Sequence, residues 1–239
     1  MHDAHDAHDA HDAHDAHDAH DAHDAHDDVL GDVQTAERDA EPTTIYLVRH
    51  GATAWNARGV YQGRADIPLS PDGIAEVQAL AAQLSGVRFD AAYTSTLVRA
   101  RHTAELLLQG TGLRASRVAE LDELSYGVFQ GLEPAERERL DAALHRRWQS
   151  DPWSVAFPSG ESLDDVSQRA KPVWDRIVGA HAGETVLVAG HGHVNRVLLL
   201  HALARPREEF WSIAQGNACL DVLRCTPTSA TSHDWRDVA

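Results

Sequence analysis

The sequence predicts an α/β domain of three layers, a mostly parallel central sheet flanked by helices on both faces. Two observations lead there. Thr44–Val48 and Thr185–Ala189 are short continuous apolar runs, as in strands covered on both faces, and each ends at a histidine beside glycine, in Arg49-His50-Gly51 and Gly190-His191-Gly192. Around them, segments of helical period alternate with further short apolar runs, the order produced by parallel strands joined through crossover helices.

The elements follow in chain order. Residues 1–28 are dominated by a His-Asp-Ala repeat with almost no apolar content, which cannot offset the entropy of ordering, so they are expected to be a disordered tail followed by a polar linker over 29–42. The domain is expected over 43–225. After the first strand a polar loop runs to Ser70-Pro71-Asp72, which supplies an N-cap, a proline at the first helical position and an acid in the first turn. Ile74, Val77, Leu80, Ala81 and Leu84 then recur at helical spacing. Phe89–Thr94 reads as a second strand, followed by a helix from about Leu97 to Leu108 that stops at Gly110, and by a short strand near Val118. Pro134–Trp148 reads as an exposed helix. Ser162 with Asp165 resembles a capping box opening a helix to about Ala180, with Val166, Ala170, Val173, Trp174 and Ile177 on one face. A helix from about Val194 and a strand over Ala218–Arg224 complete the domain, leaving 226–239 as a C-terminal tail.

Composition narrows the function. The formal net charge of -16 belongs almost wholly to the N-terminal tail, because acids and bases nearly balance from Thr43 onward. The cations are scattered singly, which argues against a nucleic-acid partner. Cys219 and Cys225 lie on one strand-like stretch, on the same face but too far apart for a disulfide. There is no signal-peptide pattern and no apolar run of membrane-spanning length, so the expectation is a cytoplasmic protein without a membrane partner.

Open α/β sheets bind ligands beyond the carboxyl ends of their strands. His50 and His191 would meet there, and Arg49 and Arg99 sit just past strand ends. Two guanidiniums and two imidazoles suit a phosphate dianion. The residues also match a known pattern. Arg49-His50-Gly51 with Thr53 and Asn56, Tyr61-Gln62-Gly63 with Pro68-Leu69-Ser70, and Ser95-Thr96-Leu97-Val98-Arg99-Ala100 resemble the histidine phosphatase (phosphoglycerate mutase-like) superfamily. Glu123-Leu124-Ser125-Tyr126-Gly127 with Gln130-Gly131, Gly160-Glu161-Ser162, and His191-Gly192 followed by Arg196 extend the resemblance over about Thr43–Arg224. A lone Arg-His-Gly is a weak signal, whereas the ordered set is specific.

The resemblance implies a phosphatase of the histidine acid type with no cofactor and no metal. In it His50 is the nucleophile, Arg49, Arg99 and His191 bind the phosphoryl group, and Glu123 is proton donor and then base. Asn56, Gln62, Gly63 and Gly192 would line the phosphate or substrate site. The implied substrate is a small phosphorylated metabolite. Physical chemistry points the same way: the attacking imidazole must be neutral, which adjacent arginines favour, and a carboxyl kept partly protonated by an anionic pocket can protonate the leaving oxygen.

Three positions depart from the pattern. Ala52 stands where glutamate is frequent, His102 where glutamine is common, and His193 where glycine is common; His193 either touches substrate or supports the site from behind. Trp148, Trp153 and Phe157 are read first as packing against the Ser162 helix, and Glu161-Ser162 as helix-start chemistry.

Two alternatives accompany the phosphatase reading. The first is a cofactor-dependent phosphoglycerate mutase, whose stretch between the acid and the second histidine resembles a longer insert that closes over the site. The second is a non-enzymatic metal-binding or scaffold protein, because the histidines and carboxylates of the tail offer weak sites for transition metals.

Overall fold

The computed structural model describes residues 41–233 of the 239-residue chain, so the expectations for the tail and for most of the linker lie outside the described residues. Six strands form one sheet: β1 Thr43–Arg49, β2 Ala91–Thr94, β3 Ser116–Arg117, β4 Thr185–Gly190, β5 Leu220–Thr226 and β6 Ser229–His233. The order is β3-β2-β4-β1-β5-β6. The pairs from β3 to β1 are parallel and the two involving β5 are antiparallel.

Six α-helices surround it: α1 Ala54–Ala57, α2 Pro71–Gln83, α3 Val98–Leu107, α4 Pro134–Ser150, α5 Leu163–Ala180 and α6 Gly192–Ala202. Strand alternation divides the core. Ile45, Leu47, Val186 and Val188 pack with the buried faces of α5 and α6 on one side, while Tyr46, Val48 and Leu187 pack with Val77, Leu80 and Leu107 of α2 and α3 on the other. Each such fully buried aliphatic side chain contributes about 1.5–3 kcal/mol relative to exposure, so two covered faces are what hold the three layers together.

Local chemistry sets the helix starts. The Ser70 hydroxyl accepts from the Gly73 amide at 3.1 Å, and Pro71 follows the cap. Ser162 and Asp165 form the reciprocal capping box, with the Ser162 amide donating to Asp165 at 2.8 Å and the Asp165 amide to Ser162 at 3.2 Å. The helix after β4 starts two residues earlier than its apolar period suggests, at Gly192, because His191 has the extended backbone of an N-cap.

Three expectations change. The helix expected over Pro134–Trp148 is exposed along most of its length but not all round: Arg137, Leu144, His145 and Trp148 are buried, and the backbone kinks at Asp141, whose carboxylate accepts from the Leu144 amide at 2.9 Å and restarts the helix. The expected strand at Phe89 begins only at Ala91. The stretch expected as a C-terminal tail from residue 226 instead turns back as β6, with Ser229 paired to Thr226 and His233 to Val222. Its backbone bonds hold this edge strand; apart from Ala230 it has no apolar residue to announce itself. Among the described residues no helix is long and apolar enough to cross a membrane.

Candidate active site

β1 and β4 run side by side with Arg49 opposite Gly190, so the histidines that follow leave the sheet together. The His50 amide donates to the Gly190 carbonyl at 3.1 Å, and the two imidazole centroids are 5.2 Å apart with a 60° tilt. One strand over, Thr94 pairs with Ala189, which delivers Ser95 and, in the first turn of α3, Arg99. The sheet therefore brings the four predicted groups to one edge.

His50 is buried, with Nδ1 2.7 Å from the Gly51 carbonyl. A carbonyl only accepts, so Nδ1 carries the proton and Nε2 keeps its lone pair. Burial, then Arg99, then Arg49 hold the imidazole well below the usual histidine range, so the ring is neutral near pH 7. Gly51 has no room for a side chain: a Cβ would stand 2.4 Å from the Gly73 carbonyl oxygen, where α2 packs against the loop.

Arg99 is fully buried. It donates from Nη1 to Ala65 and from Nη2 to Gly63, each carbonyl at 2.7 Å, and from Nε to His50 Nε2 at 3.3 Å. Burial lowers its pKa to about 10, so it remains a cation at neutral pH. The turn that grips it needs glycine, since Gly63 has a φ of +49° and a Cβ there would meet Gln130 Oε1 at 2.7 Å. Arg49 is anchored through Nη1 to the Gln215 carbonyl, and its buried Nε has no partner.

His191 is also fully buried and does not line the cavity. Its Nε2 lies 2.7 Å from Ser95 Oγ, which lies 2.7 Å from Asp122 Oδ1; the His191 Nδ1 has no partner. Burial, then Arg99 and His50, hold this imidazole well below its ordinary range.

Glu123 follows a short 3-10 turn over Ala119–Leu121. Its Oε1 accepts from the Leu124 amide at 2.9 Å, and Oε2 accepts from both the amide and Nδ1 of His193 at 3.3 Å. Burial alone would raise its pKa, but His193, by charge and by hydrogen bond, with His191 and the Leu124 amide, outweighs burial and holds it well below the usual range. These neighbours favour the ionised form of the carboxyl without phosphate, whereas the sequence expectation of a partly protonated carboxyl concerns an anionic, phosphate-filled pocket.

The cavity in front of these groups measures about 180 Å³ and is lined by Arg49, His50, Asn56, Gln62, Gly63, Arg99, Glu123, Tyr126 and His193, among others. Asn56 spends Oδ1 on the Thr53 amide and hydroxyl, both at 3.0 Å, which leaves its Nδ2 donors for a ligand. Gln62 Oε1 is buried without a partner. Gly192 does not line the cavity; it lies behind Arg49, whose Nε would stand 3.4 Å from a Cβ at that position. A larger cleft of about 580 Å³, lined by Trp153, Asp164, Arg207 and Trp211 among others, contains none of the phosphate-seeking groups.

The wall of the site is aromatic. Tyr61 stacks on Tyr126 with centroids 4.1 Å apart, and Tyr126 meets Phe157 at 5.0 Å. Trp148 and Phe157 are buried with Leu163 and Val166, the packing expected against α5, and Trp153 packs on the same cluster. His193 reaches back to Glu123 and lies against Trp148 at 5.4 Å and Phe210 at 5.9 Å. Glu161 does more than precede a helix: it accepts from Arg64 Nη2 at 2.8 Å, Arg169 Nε at 2.9 Å and the Ser125 amide at 2.9 Å. Sequence reasoning missed Asp122 and Gln215 as parts of the site. Asp122 adjoins the predicted acid, but only the fold shows that it turns toward Ser95. Among the described residues no group of three or more His, Cys, Asp or Glu side chains is placed to hold a metal ion.

The sequence pattern of the histidine phosphatase superfamily (branch 1) matches residues 45–238. A relative named adenosylcobalamin/alpha-ribazole phosphatase, from Escherichia coli strain K12, is 31% identical over 188 residues, covering 78% of this chain and 92% of its own. The 2-carboxy-D-arabinitol-1-phosphatase of Triticum aestivum is 34% identical over 189 residues; the match covers 79% of this chain but only 38% of that longer protein. The crystal structure of the alpha-ribazole phosphatase from Shigella flexneri superposes with a TM-score of 0.71 at 29% identity, covering 80% of this chain and 94% of that one. Proteins named phosphoglycerate mutase also match, at 34% identity in Schizosaccharomyces pombe and 38% in Rhizobium etli.

Proposed function

The chain belongs to branch 1 of the histidine phosphatase superfamily, and from that premise we propose that it is a phosphomonoesterase acting on a small phosphorylated metabolite through a phosphohistidine on His50. The observation that carries this reading is the 2.7 Å contact of His50 Nδ1 with the Gly51 carbonyl, which leaves Nε2 unprotonated beside two arginines. In the first step Nε2 attacks phosphorus, the bond to the ester oxygen breaks, and that oxygen takes a proton from Glu123. In the second step water attacks the phosphohistidine, Glu123 takes the water proton, and the P–N electron pair returns to Nε2. Arg49, Arg99 and His191 stabilise the charge spread over the transferring group, and this supports catalysis without a metal ion. Asn56, Gln62 and Gly63 would contact the phosphate or the substrate, with Gly192 supporting Arg49 from behind.

The test is His50→Ala with phosphate release as the readout. Activity should fall at least about a thousandfold while the fold persists. Retention of more than a few per cent of the rate, or a phosphoenzyme label that maps elsewhere, contradicts the reading. The mutase alternative rests on the several relatives that bear that name. For the His-Asp pairs of the tail we retain weak transition-metal binding, supported by composition alone. Calorimetry on the full chain and on one beginning at Thr43 tests it, and equal uptake by both removes it. The cytoplasm is the compartment we infer, also on composition.

A further inference from the structure

The partners of Ser95 can be counted in full. Its hydroxyl has one proton to donate and two lone pairs to accept with. The Leu97 amide donates to Oγ at 3.1 Å, which uses one lone pair. Asp122 Oδ1 lies 2.7 Å away and also accepts from the Thr96 amide at 2.8 Å and the Thr96 hydroxyl at 2.9 Å, so this oxygen acts as an acceptor throughout. The Ser95 proton therefore goes to Asp122, and the second lone pair faces His191 Nε2 at 2.7 Å. That nitrogen has to be the donor. A neutral His191 then carries its only proton on Nε2 and presents a bare lone pair at Nδ1, an atom that is buried without a partner.

From this geometry we infer that Asp122, acting through Ser95, fixes His191 in the Nε2–H tautomer, so that His191 can donate to a phosphoryl oxygen from Nδ1 only after taking up a second proton. Asp122 and Ser95 are thus positioning residues for His191, and phosphate binding is coupled to proton uptake from solvent. The groups around His191 are consistent with this order of events. Arg99 from α3 and Arg49 and His50 from the end of β1 oppose a second proton, Glu123 from the facing loop favours it, and burial opposes it most. Without phosphate these groups keep His191 neutral; two added negative charges on a phosphate would reverse that balance. The inference rests on the phosphatase reading for the identity of the ligand, but its test does not depend on turnover.

Nitrogen-15 NMR of the histidine side chains in the full chain reads the tautomer directly, with the His191 signals identified by their loss in His191→Asn. The expected result is a protonated Nε2 and a bare Nδ1 in the free protein, and protons on both nitrogens with saturating inorganic phosphate. A free protein with its proton on Nδ1, or a His191 that stays singly protonated with phosphate bound, overturns the inference. Calorimetry with inorganic phosphate at about pH 8, in two buffers of different ionisation enthalpy, counts the protons taken up. Ser95→Ala frees the ring to place its single proton on Nδ1, so its count should be lower than wild type by about one; equal counts overturn the inference. Should Ser95→Ala fail to fold, the NMR result on the wild-type chain decides alone. Failure of the phosphatase reading would instead appear as full phosphate release by His50→Ala, which leaves the tautomer result untouched.

Discussion

The Arg99 guanidinium donates to His50 Nε2 across 3.3 Å, and Nε2 is the nitrogen with the free lone pair. The other two Arg99 contacts, to Ala65 and Gly63, fix the guanidinium, and on the proposed reading they would keep it in place if that bond were exchanged for one to a phosphoryl oxygen. A lysine has no planar fork with which to keep both carbonyls and still reach the phosphate. Arg99→Lys should therefore lower kcat/KM by about 100- to 1,000-fold, the scale expected when one preorganised donor to the transition state is lost. Steady-state kinetics beside a thermal melt separates this from simple unfolding, and a loss under tenfold would contradict it.

His50 and His191 both sit well below the ordinary histidine value of 6.5 when folded. The unfolded chain recovers that value and so binds more protons than the folded one at pH below about 6.5. The stability contribution of the two neutral rings is complete above that pH and is lost as pH falls toward their folded values. Without added phosphate the protein should lose unfolding free energy steadily from about pH 6.5 downward, and His50→Asn should flatten part of the slope. Urea unfolding at a series of pH values measures it; a flat profile between pH 6.5 and 5 would show that the rings are not held neutral.

The sequence made the sheet edge legible because its signals are local. Continuous apolar runs end at Arg49-His50 and Gly190-His191, and parallel pairing then dictates that these residues meet. What stayed hidden depends on contacts between distant segments. The Glu161 bonds to Arg64 and Arg169, the kink that buries one face of α4, and the turn of Asp122 toward Ser95 leave no periodic trace. β6 was invisible for another reason: an edge strand held by backbone bonds needs no apolar alternation. The lowered pKa of Glu123 was not legible because it depends on contact with His193, at a position where glycine is common in the family pattern.

His193 gives Glu123 two of its hydrogen bonds. Removing the side chain in His193→Ala should let the Glu123 pKa rise. As the base of the second step Glu123 must be ionised, so phosphoenzyme decay slows as pH falls through its pKa. Rapid-quench decay of the phosphoenzyme should stay flat to lower pH in wild type than in His193→Ala, and superimposable profiles would exclude this role.

Glu161 joins three segments through Arg64, Arg169 and the Ser125 amide while only 16% of its side chain is exposed. Glu161→Ala leaves two cations and an amide without their acceptor. Discounted for partial exposure, the cost should be about 1–3 kcal/mol of unfolding free energy, well above the value of an exposed ion pair. Denaturant titration of the variant checks it, and a change below about 0.5 kcal/mol would reduce Glu161 to surface chemistry.

Whether the phosphoenzyme is hydrolysed or returns its phosphoryl group to bound product depends on water reaching His50. In this chain the stretch between Glu123 and His191 holds a 3-10 turn over Gly127–Phe129, then α4, a 3-10 turn over Pro152–Ser154, α5 and β4. Its large aromatic residues are already used in packing: Trp148 and Phe157 are buried in the main core cluster, and the Trp153 indole donates to the Arg207 carbonyl at 2.9 Å. A segment anchored in the core, with Val128 and Leu140 as its exposed large apolar side chains, offers little apolar surface with which to fold down over the cavity. Water should then reach the phosphohistidine, and hydrolysis should win over return transfer. Phosphorus NMR with 3-phosphoglycerate, with and without 2,3-bisphosphoglycerate, measures both outcomes at once. The expected result is that isomerisation never outpaces release of inorganic phosphate from the monoester, and that this release needs no bisphosphate primer. Isomerisation to 2-phosphoglycerate faster than phosphate release, and dependent on the bisphosphate, would make the protein a mutase.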